Sequence, residues 1–182
     1  MNNLNFKQFV EGYLSTIGGI KIIQNPDDLN KHSLSINNKE VGGMHVGTPG
    51  GDTRVAKRMF PNLVKDTDKV ARIHGIDVDD DLQGFGLGQL LYLRVFDTPG
   101  IDWFYNSQTY PPATNTLKTL ANKGYIELHW DREPNWNADG GLHLVRITPN
   151  GRNAYLTNKF LKQKELKSYW TDKGSNLERR ID

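Results

Sequence analysis

The chain has 182 residues, the size of one ordinary domain, with enough length for a core that needs no disulfide or metal staple. Hydrophobic residues make up 36% and charged residues 24%, and 23 Lys and Arg against 21 Asp and Glu leave a formal charge of +2. This is an ordinary globular balance, neither disordered nor fibrous, with no excess of charge to mark a nucleic-acid or membrane surface. Cysteine is absent, which excludes disulfides, thiolate metal sites and cysteine nucleophiles. No apolar run nears the ~20 residues of a membrane helix. The opening stretch Met1 to Lys7 lacks the pattern of a signal peptide, so a cytoplasmic protein without a membrane partner is expected.

In chain order, Leu4, Phe9, Val10, Tyr13, Leu14 and Ile17 follow helical spacing up to Gly18-Gly19. Ile20 to Ile23 reads as a short strand. Leu34 to Ile36 and Val41 to Val46 flank Asn37-Asn38, the pattern of a β-hairpin. Residues 47–52 form a loop by composition, and Arg54 to Phe60 a short helix stopped by Pro61. Val70 to Val78 alternates as a strand, which puts Val70, Arg72, His74, Ile76 and Val78 on one face. After a glycine-rich turn, Leu87, Leu90, Leu91 and Val95 make the stripe of a helix, ended by Thr98-Pro99-Gly100. Ile101 to Tyr105 is a further strand. Pro111-Pro112 opens a helix with Ala113, Leu117, Leu120 and Ala121 on one side, and Gly124 stands at its left-handed cap. Strands follow at 125–128 and 142–147, joined by a polar connection that holds Trp136 and is preceded by Trp130. Thr148-Pro149 starts a lysine-rich helix running to about Trp170. Strands and helices mixed in this way argue for a single α+β or α/β domain over residues 1–170, with 171–182 as a tail.

The most informative stretch is Gln83-Gly84-Phe85-Gly86-Leu87-Gly88, directly before a helix. Glycines at alternate positions let a backbone take left-handed angles and pass close to a ligand. The helix start adds unpaired amides and a positive dipole end, so the turn suits a pyrophosphate. Glycines that serve only a tight strand–helix turn are the other reading. A P-loop is excluded, because no Gly-Lys-Ser/Thr follows. In a dinucleotide-binding turn the third glycine comes one residue later than here. Asp77, Asp79 and Asp81 start like a calcium loop, but Leu82 replaces its turn glycine and Gly88 its bidentate Glu. No metal site is expected.

The six residues 83–88 resemble Gln/Arg-x-x-Gly-x-Gly/Ala, the acyl-CoA pyrophosphate motif of the GNAT superfamily of N-acetyltransferases. The hairpin 34–46 is similar to that family's second and third strands, 73–78 to its fourth, 87–96 to the helix after the loop, and 101–128 to the segment beside the pantetheine arm. The resemblance covers about residues 30–147. It implies a central, mostly antiparallel sheet flanked by helices, with acetyl-CoA as co-substrate and a primary amine as acceptor, on a small molecule, a peptide N-terminus or a lysine.

Carried onto this sequence, it places Gln83, Gly84, Phe85, Gly86, Leu87, Gly88 and Gln89 around the pyrophosphate. Backbone groups of Ile76 and Val78, with Asn106 nearby, lie along the pantetheine. Direct attack of the amine needs a base and an acid. His74 is the candidate base on its strand, with a hydrogen-bonded structural histidine as the alternative. The family's usual acid is a tyrosine four residues before the glycine that matches Gly124; here that position holds Leu120. Tyr105, Tyr110 or Ser107 would have to substitute. Little room exists between Ile23 and Leu34 for the two helices that often shape the family's acceptor site. Homodimers are common in such folds, so a second copy of the chain is a candidate partner.

Two other classes compete. Residues 114–151 are similar to a winged-helix DNA-binding module, with Asn115, Thr116, Lys118 and Asn122 toward the groove and Arg132 and Arg146 at the wing. The low net charge speaks against nucleic acid as a partner. A GNAT-like fold that binds acyl-CoA or a partner without turnover is the third class.

Overall fold

A computed structural model describes residues 20–97, 100–106, 111–130, 143–157 and 161. The helix expected over 4–17, the connection 131–142, Tyr110, Ser107 and the lysine-rich segment from 162 lie outside the described residues.

β1 (Ile20–Gln24), β2 (Lys31–Ile36) and β3 (Lys39–Val46) form an antiparallel meander. Asn37 and Asn38 take φ of 50° and 66°, the left-handed pair that a two-residue hairpin turn demands and that asparagine tolerates. α1 (Thr53–Met59) follows, then β4 (Val70–Val78), paired antiparallel to β3. A 3₁₀ turn, Asp80–Leu82, and the glycine turn lead into α2 (Leu87–Arg94), which crosses to β5 (Trp103–Asn106). β5 runs parallel to β4, the one parallel pairing among the described residues. α3 (Pro111–Asn122), β6 (Ile126–Trp130), β7 (His143–Ile147) and α4 (Pro149–Thr157) complete the described chain. β7 inserts between β5 and β6, giving one seven-stranded sheet of order β1-β2-β3-β4-β5-β7-β6. Of the two classes that the sequence pattern leaves open this is the α+β one, with the mostly antiparallel sheet that the family resemblance implies.

The main core fills one face of the sheet, where Leu34, Ile36, Met44, Ile73, Phe104 and Val145 meet residues of α2, α3 and α4. α2 carries more than an apolar stripe. Tyr92 and Leu93 are buried along with Leu87, Leu90 and Leu91, because the helix is wedged among the sheet and its two helical neighbours. Phe104 ties it down, with the Tyr92 ring stacked at 5.8 Å and Phe96 at 5.2 Å. A smaller cluster on the opposite face gathers Ala56, Phe60 and Val64 over Val70, Trp103, Tyr105 and Leu144. β5 is therefore buried on both faces. At the far end, Gly124 caps α3 with φ 69° as expected, and the Thr148 hydroxyl bridges its carbonyl to the Gly151 amide, at 2.6 and 3.0 Å.

One expectation about β4 is overturned. The register passes from His45↔Gly75 to Val46↔Ile73, so His74 is an extra residue, a β-bulge. The bulge inverts the alternation. Arg72 stays on the face of the smaller cluster, whereas Ile76 and Val78 pack with the main core beside Ala71 and Ile73. His74 keeps company with His45 on the first of these faces, their rings 5.0 Å apart. It does not share a face with Ile76.

Candidate functional site

β4 and β5 separate soon after they meet. Their ladder covers only Val70↔Trp103, Ala71↔Phe104 and Arg72↔Tyr105, while β4 runs on to Val78. Among the described residues no strand covers the edge of β4 over 73–78 on the β5 side. Which main-chain groups face that gap follows from the ladder. The Asp79 amide donates to the Val41 carbonyl at 2.9 Å. With the two-residue period of an antiparallel pair, residues 75, 77 and 79 bond toward β3, and Ile76 and Val78 turn their N–H and C=O groups to the gap. The Gln83 side chain reaches the Val78 carbonyl at 3.4 Å from the end of the same gap.

The glycine turn closes that end. Gln83 donates from its side chain to Asp80 Oδ1 at 2.8 Å, which fixes the approach to the turn. Gly84 and Gly86 take φ of 83° and 92°, left-handed angles that other residues adopt only with strain. Phe85 packs against the main core and Leu87 is buried in it, so the apolar side chains point inward and the main chain lies outside. Among the described residues the amides of Gly84, Gly86, Leu87, Gly88 and Gln89 donate to no protein acceptor. A Cβ built on Gly84 or Gly88 would meet nothing within 4 Å, so there is open space beside the turn. Bare amides, a helix N-terminus and free space together suit an anion. Lys123, at the end of α3, brings its Nζ to 3.5 Å from Gln89 Oε1 and adds a cation beside the turn. The exposed Asp79, Asp80 and Asp81 oppose it, although Gln83 already occupies Asp80.

Where β4 and β5 part, the two faces of the sheet differ. On the main-core side, Ile73 and Phe104 are fully buried, and the site residue Asn106 is held through its side chain by the Tyr92 hydroxyl, a hydroxyl that burial pushes far above its ordinary pKa. On the other side the surroundings are polar. The Tyr105 hydroxyl donates to Asp52 Oδ1 at 3.0 Å, and the Arg72 guanidinium lies 5.6 Å from the centre of the Tyr105 ring. Burial, then the hydrogen bond to Asp52 and its charge, raise the Tyr105 pKa above the usual phenol value, and Arg72 works against them. His74 is exposed beside His45 and Gly47.

The expected site residues thus fall into two groups. Ile76, Val78 and residues 83–89 line the gap and its end; Tyr105 and His74 sit at the fork, on the polar face. Leu120 is fully buried against the core and offers no hydroxyl. Sequence reasoning missed Asp52, Lys123, His45 and Tyr92. Lys123 carried a signal, one residue before the cap glycine; Asp52, 53 residues from Tyr105, carried none.

The groove-binding surface of a winged helix is not assembled. Residues 103–106 are the strand β5, so no described helix precedes α3 at helix–turn–helix spacing. Arg146 is already bound, with Nη2 at 2.7 Å from Glu127 and its guanidinium 4.5 Å above the Trp103 ring. No helix among the described residues is long and apolar enough to cross a membrane.

The hairpin, the bulged fourth strand, the glycine turn opening a helix and the parallel fifth strand stand in the order that the family resemblance implies. The fold is GNAT-like. No family model matches the chain, and no curated protein matches it. Among solved structures, a CoA-dependent acyl-homoserine lactone synthase, BjaI, with SAM and isopentyl-CoA is similar at 16% identity and a TM-score of 0.49, over 76% of this chain and 68% of that one. MesI, another CoA-dependent acyl-homoserine lactone synthase, is similar at 14% identity and a TM-score of 0.47, over 85% and 89%. FeeM, an N-acyl amino acid synthase from uncultured soil microbes, is similar at 13% identity and a TM-score of 0.44, over 89% and 96%. These likenesses concern the course of the chain, and the reading of the site stands on the residues above.

Proposed function

We propose that this protein is an acyltransferase of GNAT type that moves an acetyl group from acetyl-CoA to a primary amine. One observation carries the reading: among the described residues, the edge of β4 is uncovered and runs straight into a turn of bare amides. The edge over 73–78 is about 20 Å of extended backbone, long enough for a pantetheine arm to pair as an added strand. Ile76 and Val78 would supply that pairing, and Gly84, Gly86, Leu87, Gly88 and Gln89 the donors for the pyrophosphate.

The thioester then lies near the fork, and the amine reaches it from the polar face, since the other face is packed. The acceptor arrives as an ammonium and loses one proton to a base. Its nitrogen lone pair forms the new C–N bond, the C–S bond breaks, and the second proton ends on the leaving sulfur. His74 stands on the accessible face and suits the first task. Tyr105 keeps its proton at neutral pH and, with Tyr110, is the candidate for the second. A cytoplasmic location belongs to the same proposal, since the donor is an intracellular thioester.

Leu120 favours a second reading, an acyl-CoA-binding module without turnover, because the position of the usual acid is apolar and sealed. Calorimetry with acetyl-CoA and CoA on the wild type and on Gly86→Glu tests the shared claim. A side chain and a negative charge in the cradle should abolish binding while a melting curve still shows a folded protein. Equal affinity removes the ligand from this site. Amine-dependent release of free thiol from acetyl-CoA separates transferase from binder.

A further inference from the structure

The stretch between β3 and β4 does more than connect two strands. Gly47 donates to the Arg72 carbonyl at 2.7 Å, and Gly50 and Asp52 both donate to the Val70 carbonyl, at 3.1 and 3.3 Å. Thr53 locks the next step, its hydroxyl donating to the Asp68 carbonyl at 2.9 Å and accepting from the Val70 amide at 3.1 Å. The loop is thereby laid along β4 at the level where β5 departs.

Asp52 immediately precedes α1, the place where an aspartate ordinarily accepts a bond from the first helical amides. It makes no such bond. Its carboxylate turns instead to the Tyr105 hydroxyl, across the fork residue pair Arg72↔Tyr105. An ionised carboxylate has about four acceptor positions, and Tyr105 uses one of them. Asp52 is only half-buried, so the remainder is within reach of a ligand. The Arg72 guanidinium on the same face lies against the Tyr105 ring, His45 and His74 stand beside it, and Asp68, His129 and Arg146 gather around Trp103 farther along the face.

We infer that Asp52 receives the ammonium group of the acceptor, so that the acceptor class is a cationic alkylamine and not a neutral alcohol or arylamine. The inference rests on the transferase reading, and it gives the β3–β4 excursion the part that the short N-terminal connection has no room for. The bond from the Tyr105 hydroxyl fixes one oxygen of that carboxylate.

The test uses n-butylamine, charged at neutral pH, titrated into the CoA-saturated protein so that binding is read without transfer. The wild type should bind it, and 1-butanol should bind far more weakly. Asp52→Asn keeps an oxygen for Tyr105 but removes the charge. It should weaken n-butylammonium about tenfold or more, as expected for one charge-assisted hydrogen bond, and leave the affinity for CoA unchanged. Asp52→Glu against Asp52→Gln repeats the comparison if the asparagine variant melts early. Equal n-butylammonium affinity with and without the charge, or no binding to the wild type, overturns the inference. Failure of CoA to bind the wild type overturns the transferase reading instead, and the calorimeter reports the two separately.

Discussion

Gly88→Ala and Gly88→Asp separate stability from binding at the glycine turn. Gly88 is the second residue of α2, with ordinary helical angles, and a Cβ there would meet no protein atom within 4 Å. Replacing a helical glycine by alanine stabilises by about 0.5–1 kcal/mol, since the unfolded chain loses freedom and nothing in the folded state has to move. For a domain of this size, that raises the melting temperature by about 1–4 °C. The methyl group should leave the affinity for CoA at the wild-type value, since the motif that residues 83–88 resemble takes alanine as well as glycine at this place. Gly88→Asp sets a carboxylate beside the same bare amides instead. A phosphate denied one of them loses a hydrogen bond to a charged group, about 1.5–3 kcal/mol, or a ten- to hundred-fold weaker dissociation constant at roughly 1.4 kcal/mol per decade. Differential scanning calorimetry and isothermal titration with CoA read the two effects on the same samples. A wild-type dissociation constant in a folded Gly88→Asp variant would show that these amides do not hold the ligand.

The other predictions follow from burial. Leu120→Ala removes a fully buried side chain and should cost about 2–5 kcal/mol in a denaturant titration. Its affinity for acetyl-CoA should stay at the wild-type value, because Leu120 serves the core, and a selective loss of affinity in the folded variant would contradict that role. His32 is buried on β2, and burial, with the charge of Arg94 second, lowers its imidazole from 6.5 to about 4. The folded state therefore resists a proton that the unfolded chain accepts. The stability this gives is complete above pH 6.5, falls as the pH drops toward 4, and amounts to at most about 3 kcal/mol. Urea midpoints taken between pH 7.5 and 4.5 should decline in the wild type and decline less in His32→Met; parallel declines would assign the effect elsewhere.

Much of this fold was legible because certain residues leave the backbone few choices. Asn37-Asn38 between two apolar runs admits a left-handed hairpin turn, Gly124 a left-handed cap, and Gly84 and Gly86 an open turn before a helix. The pairs that define the fork were not legible. Val70, Arg72, His74, Ile76 and Val78 alternate without interruption, and only the pairing of β4 with His45 and Val46 shows that the chain steps over His74 and reverses its faces. Nothing local announces that β7 slides between β5 and β6, or that the ladder between β4 and β5 stops at Tyr105. The candidate site divides in the same way. Its phosphate end is a run of neighbours in sequence, whereas its acceptor end joins Asp52, Arg72 and Tyr105 through long-range packing.

Amide resonances of the labelled protein, followed during titration with CoA, address the central claim most directly. Occupation of the gap should shift Gly84, Gly86 and Gly88 together with Ile76 and Val78, and leave β1 and β6 in place. Saturating CoA that moves β1 or β6 while those five amides stay still would contradict it.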